Sequence, residues 1–171
     1  DADMGEWDYV YDAMGNLTSQ VDGNRQTTWL RYDGLNRLTG KEFSTDDHDI
    51  TYTYDENGHI GYRTSMTDAS GETHWTYDLR GRMIEEAKTI VDRGTYITQW
   101  QYDNQNRVTQ MFYPNGDRIS YDYNHQGEIV RLNSYYQTIL QSRVFDQNGR
   151  VSEQKFGNGS TTRYEYETWT G

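Results

Sequence analysis

The chain has 171 residues and a net charge of −11, with 27 acidic against 16 basic side chains. A phosphate backbone is bound by clustered positive charge, so this balance excludes a general nucleic-acid binder. The chain contains no cysteine, which excludes disulfides and cysteine-bound metals, and no apolar run approaches the roughly 20 residues that span a membrane.

The first patterned stretch is a unit of seven residues, Tyr11 to Leu17. Asp12 can accept backbone N–H groups two residues on, and Gly15 can adopt the positive φ that a tight reversal requires. The sequence therefore predicts a β-hairpin turn here, with an apolar residue that begins the return strand. Related units follow from Tyr32, Tyr54 (closed by Ile60), Tyr77, Tyr102, Tyr123 and Phe145, and a truncated one lies at Tyr166.

The units recur about every 22 residues, which is the spacing of a tandem repeat. Asn36 and Asn106 replace the turn glycine, and asparagine is the side chain that best tolerates the left-handed region. The predicted structural anchors of the repeat are Tyr11, Asp12, Gly15, Tyr32, Asp33, Tyr54, Asp55, Gly58, Tyr77, Asp78, Gly81, Tyr102, Asp103, Tyr123, Gly127, Phe145, Asp146 and Gly149.

A second series of turn residues lies about midway between the anchors, so each repeat is predicted to hold two strands and two turns. The midpoint at 133–136 lacks glycine and is the weakest of the series. The 16 tyrosines, 5 tryptophans and many threonines favour strands over helices. We expect an all-β fold of about sixteen short antiparallel strands, arranged as tandem hairpins in one long curved or spiralling sheet.

The repeated Tyr-Asp pairs predict architecture and not catalysis, because an active site needs one unique constellation of residues. Asp46, Asp47 and Asp49 with His48 have the oxygen ligands that calcium prefers, but a solvated acidic hairpin tip explains them better. His59, His74 and His125 each stand alone in their repeats, without metal-binding spacing. We therefore expect no catalytic residue, no metal and no cofactor.

Trp7, Trp75 and Trp100 each precede a tyrosine by two positions, which places both rings on one face of a strand. Such a ladder can stack on the apolar faces of sugars. A binding module on the cell surface, for a carbohydrate or a protein, is therefore the alternative function.

The unit Tyr-Asp-x-x-Gly-Arg/Asn-Leu-Thr, as in Tyr11 to Thr18, Tyr32 to Thr39 and Tyr102 to Thr109, resembles the YD (tyrosine-aspartate) repeat of Rhs (rearrangement hotspot) proteins. Related repeats occur in polymorphic toxins, in the B and C components of Tc toxins, in wall-associated proteins and in teneurins. The resemblance covers the whole chain. It implies one repeat array over residues 1–171, cut from a longer protein, with no separate second domain.

The resemblance also implies a role. In the family the hairpins pair into a strip that spirals into a hollow shell around a toxin. The implied function is a non-catalytic wall segment that encloses a toxin or effector cargo in a secreted or cell-surface bacterial protein. A piece of such a wall has open strand edges, so we expect the chain alone to form edge-to-edge homo-oligomers.

Overall fold

The structure is a computed structural model that describes residues 5–45 and 49–167. Fifteen β-strands occur in these residues, and the single helical turn, Glu56–Gly58, is too short to cross a membrane. The strands are β1 Asp8–Tyr11, β2 Leu17–Val21, β3 Thr27–Tyr32, β4 Leu38–Phe43, β5 Ile50–Tyr54, β6 Arg63–Asp68, β7 Gly71–Tyr77, β8 Met83–Ile90, β9 Gly94–Tyr102, β10 Val108–Phe112, β11 Arg118–Tyr123, β12 Ile129–Ser134, β13 Thr138–Phe145, β14 Val151–Phe156 and β15 Thr161–Arg163.

The strands lie in the sheet in the order in which they occur along the chain, and all the described pairings are antiparallel. The predicted all-β fold of tandem hairpins is therefore confirmed. Contacts divide the chain into two compact units, Asp1–Tyr96 and Ile97–Gly171. Strands β1 to β8 lie in the first unit, and β10 to β15 lie in the second.

Both series of predicted turns are present where the structure describes them. Even the midpoint without glycine reverses the chain, because the N–H of Ser134 donates to the carbonyl of Gln137 at 2.8 Å. The positive φ expected of Asn36 and Asn106 is also confirmed, at 60° and 63°. The midpoint at 46–48 lies outside the described residues.

Within each unit, the described part of the sheet carries no second packed layer, and few side chains are fully buried. Among the described residues, Leu140 is the only buried large hydrophobic side chain, with 2% of its surface exposed. Alternation along the strands still separates two faces. In β5, Tyr52 and Tyr54 are half-buried among their neighbours, whereas Thr51 and Thr53 on the other face are exposed.

Candidate functional site

The Tyr-Asp units form a row of hairpin turns, which we call the YD turns and number from one to seven. They begin at the anchors Tyr11, Tyr32, Tyr54, Tyr77, Tyr102, Tyr123 and Phe145.

The fourth YD turn shows how the local sequence closes the chain on itself. The N–H of Gly81 donates to the carbonyl of Asp78, and the N–H of Asp78 donates to the carbonyl of Arg82, both at 2.9 Å. Oδ1 of Asp78 accepts the N–H groups of Arg80 and Arg82 at 2.8 and 3.0 Å, and Oδ2 accepts Nε of Arg82 at 2.6 Å. One carboxylate thus satisfies three donors of its own turn.

The same contacts recur in the regular turns. Oδ1 accepts two backbone N–H groups at Asp12, Asp33, Asp103, Asp146 and, with an amide in place of the carboxylate, Asn124. An arginine four residues on reaches Oδ2 of Asp33, Asp103 and Asp146, and Asn16 does so at Asp12. The sequence predicted the backbone hydrogen bonds to the aspartate. It did not predict that the side chain four positions after the aspartate also binds Oδ2.

These hydrogen bonds favour the ionised carboxylates. The backbone N–H of the residue four positions on does most to lower the pKa of Asp33, Asp103 and Asp146, and the arginine side chain adds to it. In Asp12 and Asp78 the side chain four positions on has the largest effect in lowering the pKa. A lowered pKa makes each carboxylate a weaker base, which suits a structural anchor better than proton transfer.

The first, second, third, fifth and seventh YD turns also hold the next tyrosine of the repeat along the chain. The hydroxyl of the next tyrosine donates to the carbonyl of the first residue of the return strand, at 2.7 to 3.0 Å. The pairs are Tyr32 with Leu17, Tyr54 with Leu38, Tyr77 with Arg63, Tyr123 with Val108 and Tyr166 with Val151. We call this contact and the arginine that accompanies it the inter-turn clasp.

In the second, fifth and seventh YD turns, the arginine of the turn lies over the ring of the tyrosine that its clasp holds. Arg37 lies 4.4 Å from the ring centroid of Tyr54, and Arg107 lies 4.5 Å from that of Tyr123. The guanidinium therefore binds its own aspartate and covers the aromatic ring of the next turn. Burial raises the pKa of the Tyr123 hydroxyl, so it stays protonated and able to donate.

Every YD turn is followed by a β-bulge on the return strand, which sequence reasoning missed. Tyr32 pairs with Leu38 and Arg31 pairs with Gly40, so Thr39 has no cross-strand partner. The unpaired residues are Thr18, Thr39, Thr64, Ile84, Thr109, Val130 and Ser152. The threonine that recurs in the Leu-Thr pair was the sequence signal for this bulge. In the first turn, Oγ1 of Thr18 donates a hydrogen bond to the carbonyl of Val10 on the opposite strand at 3.2 Å.

The third YD turn is longer than the regular unit that the sequence predicted. Ile60 was expected to begin the return strand, but β6 begins at Arg63, and Tyr54 pairs with Arg63. The longer loop lets the N–H of Gly61 reach Oδ1 of Asp55 at 2.6 Å. Gly58 has the expected positive φ of 82°, and this local likeness to the regular turn is why the extra residues escaped prediction.

The seventh YD turn lacks the hydroxyl because its anchor is phenylalanine. Phe145 pairs with Val151 as the tyrosines do with their partners. The carbonyl that a tyrosine would reach is that of Ile129, and Nη1 of Arg143 donates to it at 3.2 Å. Arg143 therefore replaces the missing phenol.

The three predicted stacking tryptophans differ in their surroundings. Arg63 lies 4.5 Å from the ring of Trp75, whose Nε1 donates to Oε2 of Glu86 at 2.9 Å. Trp7 is exposed and stacks on Tyr9 with 6.2 Å between centroids. Trp100 is half-buried in β9.

Of the acidic cluster weighed as a calcium site, Asp46, Asp47 and Asp49 with His48, the structure describes only Asp49. In the part of the chain that the structure describes, no three His, Cys, Asp or Glu side chains lie close enough to hold a metal ion. Asp46, Asp47 and His48 lie outside the described residues. Asp49 accepts the N–H of Phe43 through Oδ1 at 3.1 Å.

Comparison with known proteins identifies the repeat. The RHS Repeat family model matches residues 11–42 and 54–89. The chain therefore carries RHS repeats. The resemblance drawn from the Tyr-Asp units is confirmed, and the matched ranges hold the first four YD turns.

Two curated proteins are similar to the chain in sequence. The probable deoxyribonuclease RhsA of Dickeya dadantii is 31% identical over 136 residues, 72% of the chain. The tRNA3(Ser)-specific nuclease WapA of Bacillus spizizenii is 29% identical over 200 aligned positions, 96% of the chain. The chain spans only 9% of the length of either relative.

Solved structures contain the same fold. The crystal structure of TcdB2-TccC3 superposes with a TM-score of 0.86 at 16% identity, over 96% of the chain and 10% of that structure's chain. The Photorhabdus luminescens Tc holotoxin pore gives 0.79 at 15% identity, with the same coverage.

Proposed function

We propose that this chain is a wall segment of a hollow β-shell that encloses a toxin or effector carried by the same full-length protein. The carrying observation is the inter-turn clasp, which repeats one set of contacts along the row of YD turns. Repetition of one contact builds a continuous surface, whereas catalysis or selective binding requires one place that differs from the rest.

The single-layer sheet supports this role. A wall has to keep solvent away from what lies behind it, and it does not need a hydrophobic core of its own. Half-buried side chains on both faces are therefore acceptable if neighbouring strands pair without gaps. The arginine, aspartate and tyrosine of the clasp join hairpins that the backbone pairing alone would hold less firmly. A cargo held behind such a sheet would be shielded from solvent and from proteases.

We further propose that the chain has no enzymatic activity of its own. The relatives named as nucleases are much longer than this chain, so their nuclease activity can lie in a part of the sequence that this chain does not match. The lowered pKa values of the Tyr-Asp carboxyls and their full set of donors support an architectural role for the anchors. The bacterial origin of the relatives supports placing the parent protein in a bacterium, acting at or beyond the cell surface.

The test uses the complete protein encoded by the gene that contains this chain. We expect trypsin to leave the cargo segment whole in the native protein and to degrade the same segment when it is produced alone. Cleavage at the same rate in both samples would contradict the proposal.

Weakening the wall should expose the cargo. The triple variant Asp33→Asn, Asp78→Asn, Asp146→Asn removes three carboxylates that close YD turns, and we expect faster cleavage of the cargo segment. The matched control, Asp8→Asn, Asp92→Asn, Asp122→Asn, makes the same charge change at exposed aspartates outside the YD turns and should leave protection unchanged.

Carbohydrate binding through Trp7, Trp75 and Trp100 stays a prediction with less support. Arg63 and Glu86 already contact Trp75, which leaves less of its ring for a sugar. Replacing the three tryptophans with alanine would abolish saturable binding on a glycan array if the ladder binds sugars.

We also propose that the chain produced alone associates through the edge of the sheet. Among the described strands, β1 pairs only with β2, and Val10 in β1 is 56% exposed. Light scattering should detect dimers or larger species, and Val10→Lys should shift them toward monomer. Val144→Lys is the control, because Val144 is similarly exposed, at 50%, on a strand paired on both sides. A clean monomer of the unmodified chain at high concentration would overturn this proposal.

A further inference from the structure

The first four YD turns each expose an apolar side chain, and we call this row the apolar rim. Its members, with the exposed fraction of each, are Met14 (72%), Leu35 (72%), Ile60 (80%) and Leu79 (107%). The fifth, sixth and seventh turns instead have polar residues at their exposed tips, which are Gln105, Gln126 and Asn148. A contiguous row of large apolar groups in water is typical of a binding surface.

Contacts between neighbouring turns hold the members of the rim in one row. Nδ2 of Asn16 in the first turn donates to Oδ1 of Asn36 in the second at 2.9 Å. Arg37 of the second turn binds the carboxylate of Asp55 in the third at 2.7 Å. The first three tips are therefore linked to one another through side chains as well as through the sheet.

An aromatic cavity joins the third tip to the fourth. The third turn is three residues longer than the fourth, and a cavity of about 560 Å³ lies between the two turns. This volume is within the range of about 300–1,000 Å³ that ligand sites occupy. The ring of Tyr62 stacks on that of Tyr77 with 4.6 Å between centroids, and the imidazole of His59 meets Tyr77 edge-on at 5.6 Å.

The groups around the cavity suit proline. Ile60 and Leu79 line it together with the aromatic rings. Within the described residues, the hydroxyl of Tyr62 takes part in no hydrogen bond. A proline ring packs on aromatic faces, its carbonyl accepts a hydrogen bond from a phenol, and it has no N–H group that needs a partner.

The spacing of the rim favours a polyproline II peptide. Two strands separate successive YD turns, so neighbouring tips are about 9.4–9.8 Å apart along the edge of the sheet. A polyproline II helix rises about 9.3 Å in three residues, and every third side chain points the same way. In a β-strand the third residue points to the opposite face. An α-helix returns to the same face after seven residues and about 10.5 Å, which is a poorer match.

The charge of this part of the chain favours a basic partner. Residues 1–96 contain 19 acidic and 9 basic side chains, so they carry −10 of the net charge of −11. Glu56 in the third turn is exposed and adjoins Asn57, which lines the cavity. Its Oε2 accepts the hydroxyl of Thr64 at 3.0 Å, and no hydrogen bond occupies Oε1 in the part of the chain that the structure describes. This oxygen can bind a cation.

We infer that the apolar rim binds a proline-rich, basic segment of a partner protein. The prolines pack in the cavity against Tyr62 and Tyr77, and aliphatic side chains at every third position contact successive tips. Lysine or arginine beside the prolines pairs with Glu56 and with the acidic field around it. The inference needs only the folded chain and does not depend on the shell proposal.

The experiment titrates the 171-residue chain by calorimetry with a synthetic peptide of three Pro-Pro-Leu triplets between paired arginines. We expect saturable binding that weakens as salt is added. The same peptide with alanine at every proline favours an α-helix instead, and it should bind at least about tenfold more weakly. A peptide with glutamates in place of the arginines should also bind more weakly.

Variants of the chain locate the site. Tyr62→Ala should weaken binding by about tenfold or more, because aromatic anchors contribute most at such surfaces. Tyr62→Phe keeps the ring and loses one hydrogen bond, so it and Leu79→Ser should each weaken binding by a few fold. Glu56→Gln should reduce the salt dependence. The matched control is Val91→Ser, because Val91 is 57% exposed in a turn of the other series and should leave the affinity unchanged.

Far-ultraviolet circular dichroism must be the same for all variants, and Tyr62→Phe with Leu79→Ser keeps the test valid if Tyr62→Ala does not fold. Absence of saturable binding by the proline peptide would overturn the inference, as would binding that the Tyr62 and Leu79 variants leave unchanged. Equal or tighter binding of the alanine peptide would also overturn it, because the rim would then accept a helix.

Discussion

Arg37 holds the carboxylate of Asp55, eighteen residues along the chain, with both ends of its guanidinium. Nη1 donates to Oδ1 at 3.0 Å and Nη2 donates to Oδ2 at 2.7 Å. Its Nε binds Asp33 in its own turn at 2.7 Å. The third YD turn has His59 at the position that arginine occupies in the second turn, and Arg37 of the second turn binds both carboxylates.

Replacing Arg37 with lysine should therefore cost more than the same change in the seventh turn. An ammonium group cannot bind two carboxylates in the planar, forked geometry that a guanidinium provides. Arg150 binds only one carboxylate, that of Asp146, at 2.8 Å. We expect Arg37→Lys to lower the urea midpoint of unfolding more than Arg150→Lys does. Equal shifts would show that the bridge to Asp55 does not contribute to stability.

Acid should weaken the bridge between Arg37 and Asp55. Hydrogen bonds from Arg37 and from the N–H of Gly61 lower the pKa of Asp55 to about 2. Because the pKa is lowered in the folded state, the stabilisation is complete above the ordinary carboxyl pKa of about 3.9 and is lost as the pH falls toward about 2.

The measurement is the urea midpoint of the unmodified chain and of Asp55→Asn, taken from pH 7 to pH 2. The variant should be less stable at neutral pH, and the difference between the two proteins should narrow below about pH 4. A difference that stays constant down to pH 2 would mean that the ionised carboxylate is not the group that stabilises the fold.

Arg143 and Phe145 offer a rescue experiment. Arg143→Gln removes the donor to the carbonyl of Ile129 and should reduce the free energy of unfolding by about 1–3 kcal/mol. Adding Phe145→Tyr restores the phenol that other turns use for the same carbonyl, so the double variant should recover part of the loss. A double-mutant cycle with additive effects would contradict the replacement.

Two turn glycines, Gly81 and Gly149, have the same φ of 76°. Comparing alanine substitutions at the two positions therefore separates the cost of a strained backbone from the cost of a steric collision. Gly149 has no neighbouring atom near the position of a Cβ, so Gly149→Ala should cost about 1–2 kcal/mol for the left-handed backbone alone. A Cβ at Gly81 would collide with the hydroxyl of Tyr62 and disturb its stacking on Tyr77. Gly81→Ala should therefore cost about 0.5–1.5 kcal/mol more.

Removing the obstacle should remove the difference between the two glycines. In a Tyr62→Ala background, Gly81→Ala should cost as much as Gly149→Ala does in the unmodified chain, as measured by urea unfolding. If Gly81→Ala still lowered the free energy of unfolding more than Gly149→Ala does when Tyr62 is absent, the new Cβ would be colliding with a group other than Tyr62.

The sequence predicts most of this fold because its repeat is a local pattern. Asp78 and Gly81 determine their turn through contacts within four residues, and a reader of the sequence can recognise such a turn without knowing the rest of the structure. The antiparallel order follows from turns spaced at regular intervals, and about sixteen strands were expected where the described residues hold fifteen.

The contacts between turns were not predictable in the same way. The hydroxyl of Tyr123 reaches the carbonyl of Val108, fifteen residues away, and a backbone carbonyl leaves no mark on the sequence. The replacement at Phe145 was hidden for the same reason, because Arg143, two residues before Phe145 on β13, reaches the backbone carbonyl of Ile129, which leaves no mark on the sequence either. The extra length of the third turn was concealed by Gly58, which satisfied the regular pattern three residues too early.

The most direct test of the account is an electron cryo-microscopy map of the complete protein encoded by the gene that contains this chain. The account predicts that the sheet of residues 8–163 forms part of the wall of a closed cavity, with density for another part of the same protein inside. A map in which solvent bathes both faces of this sheet, or in which no cavity exists, would contradict it.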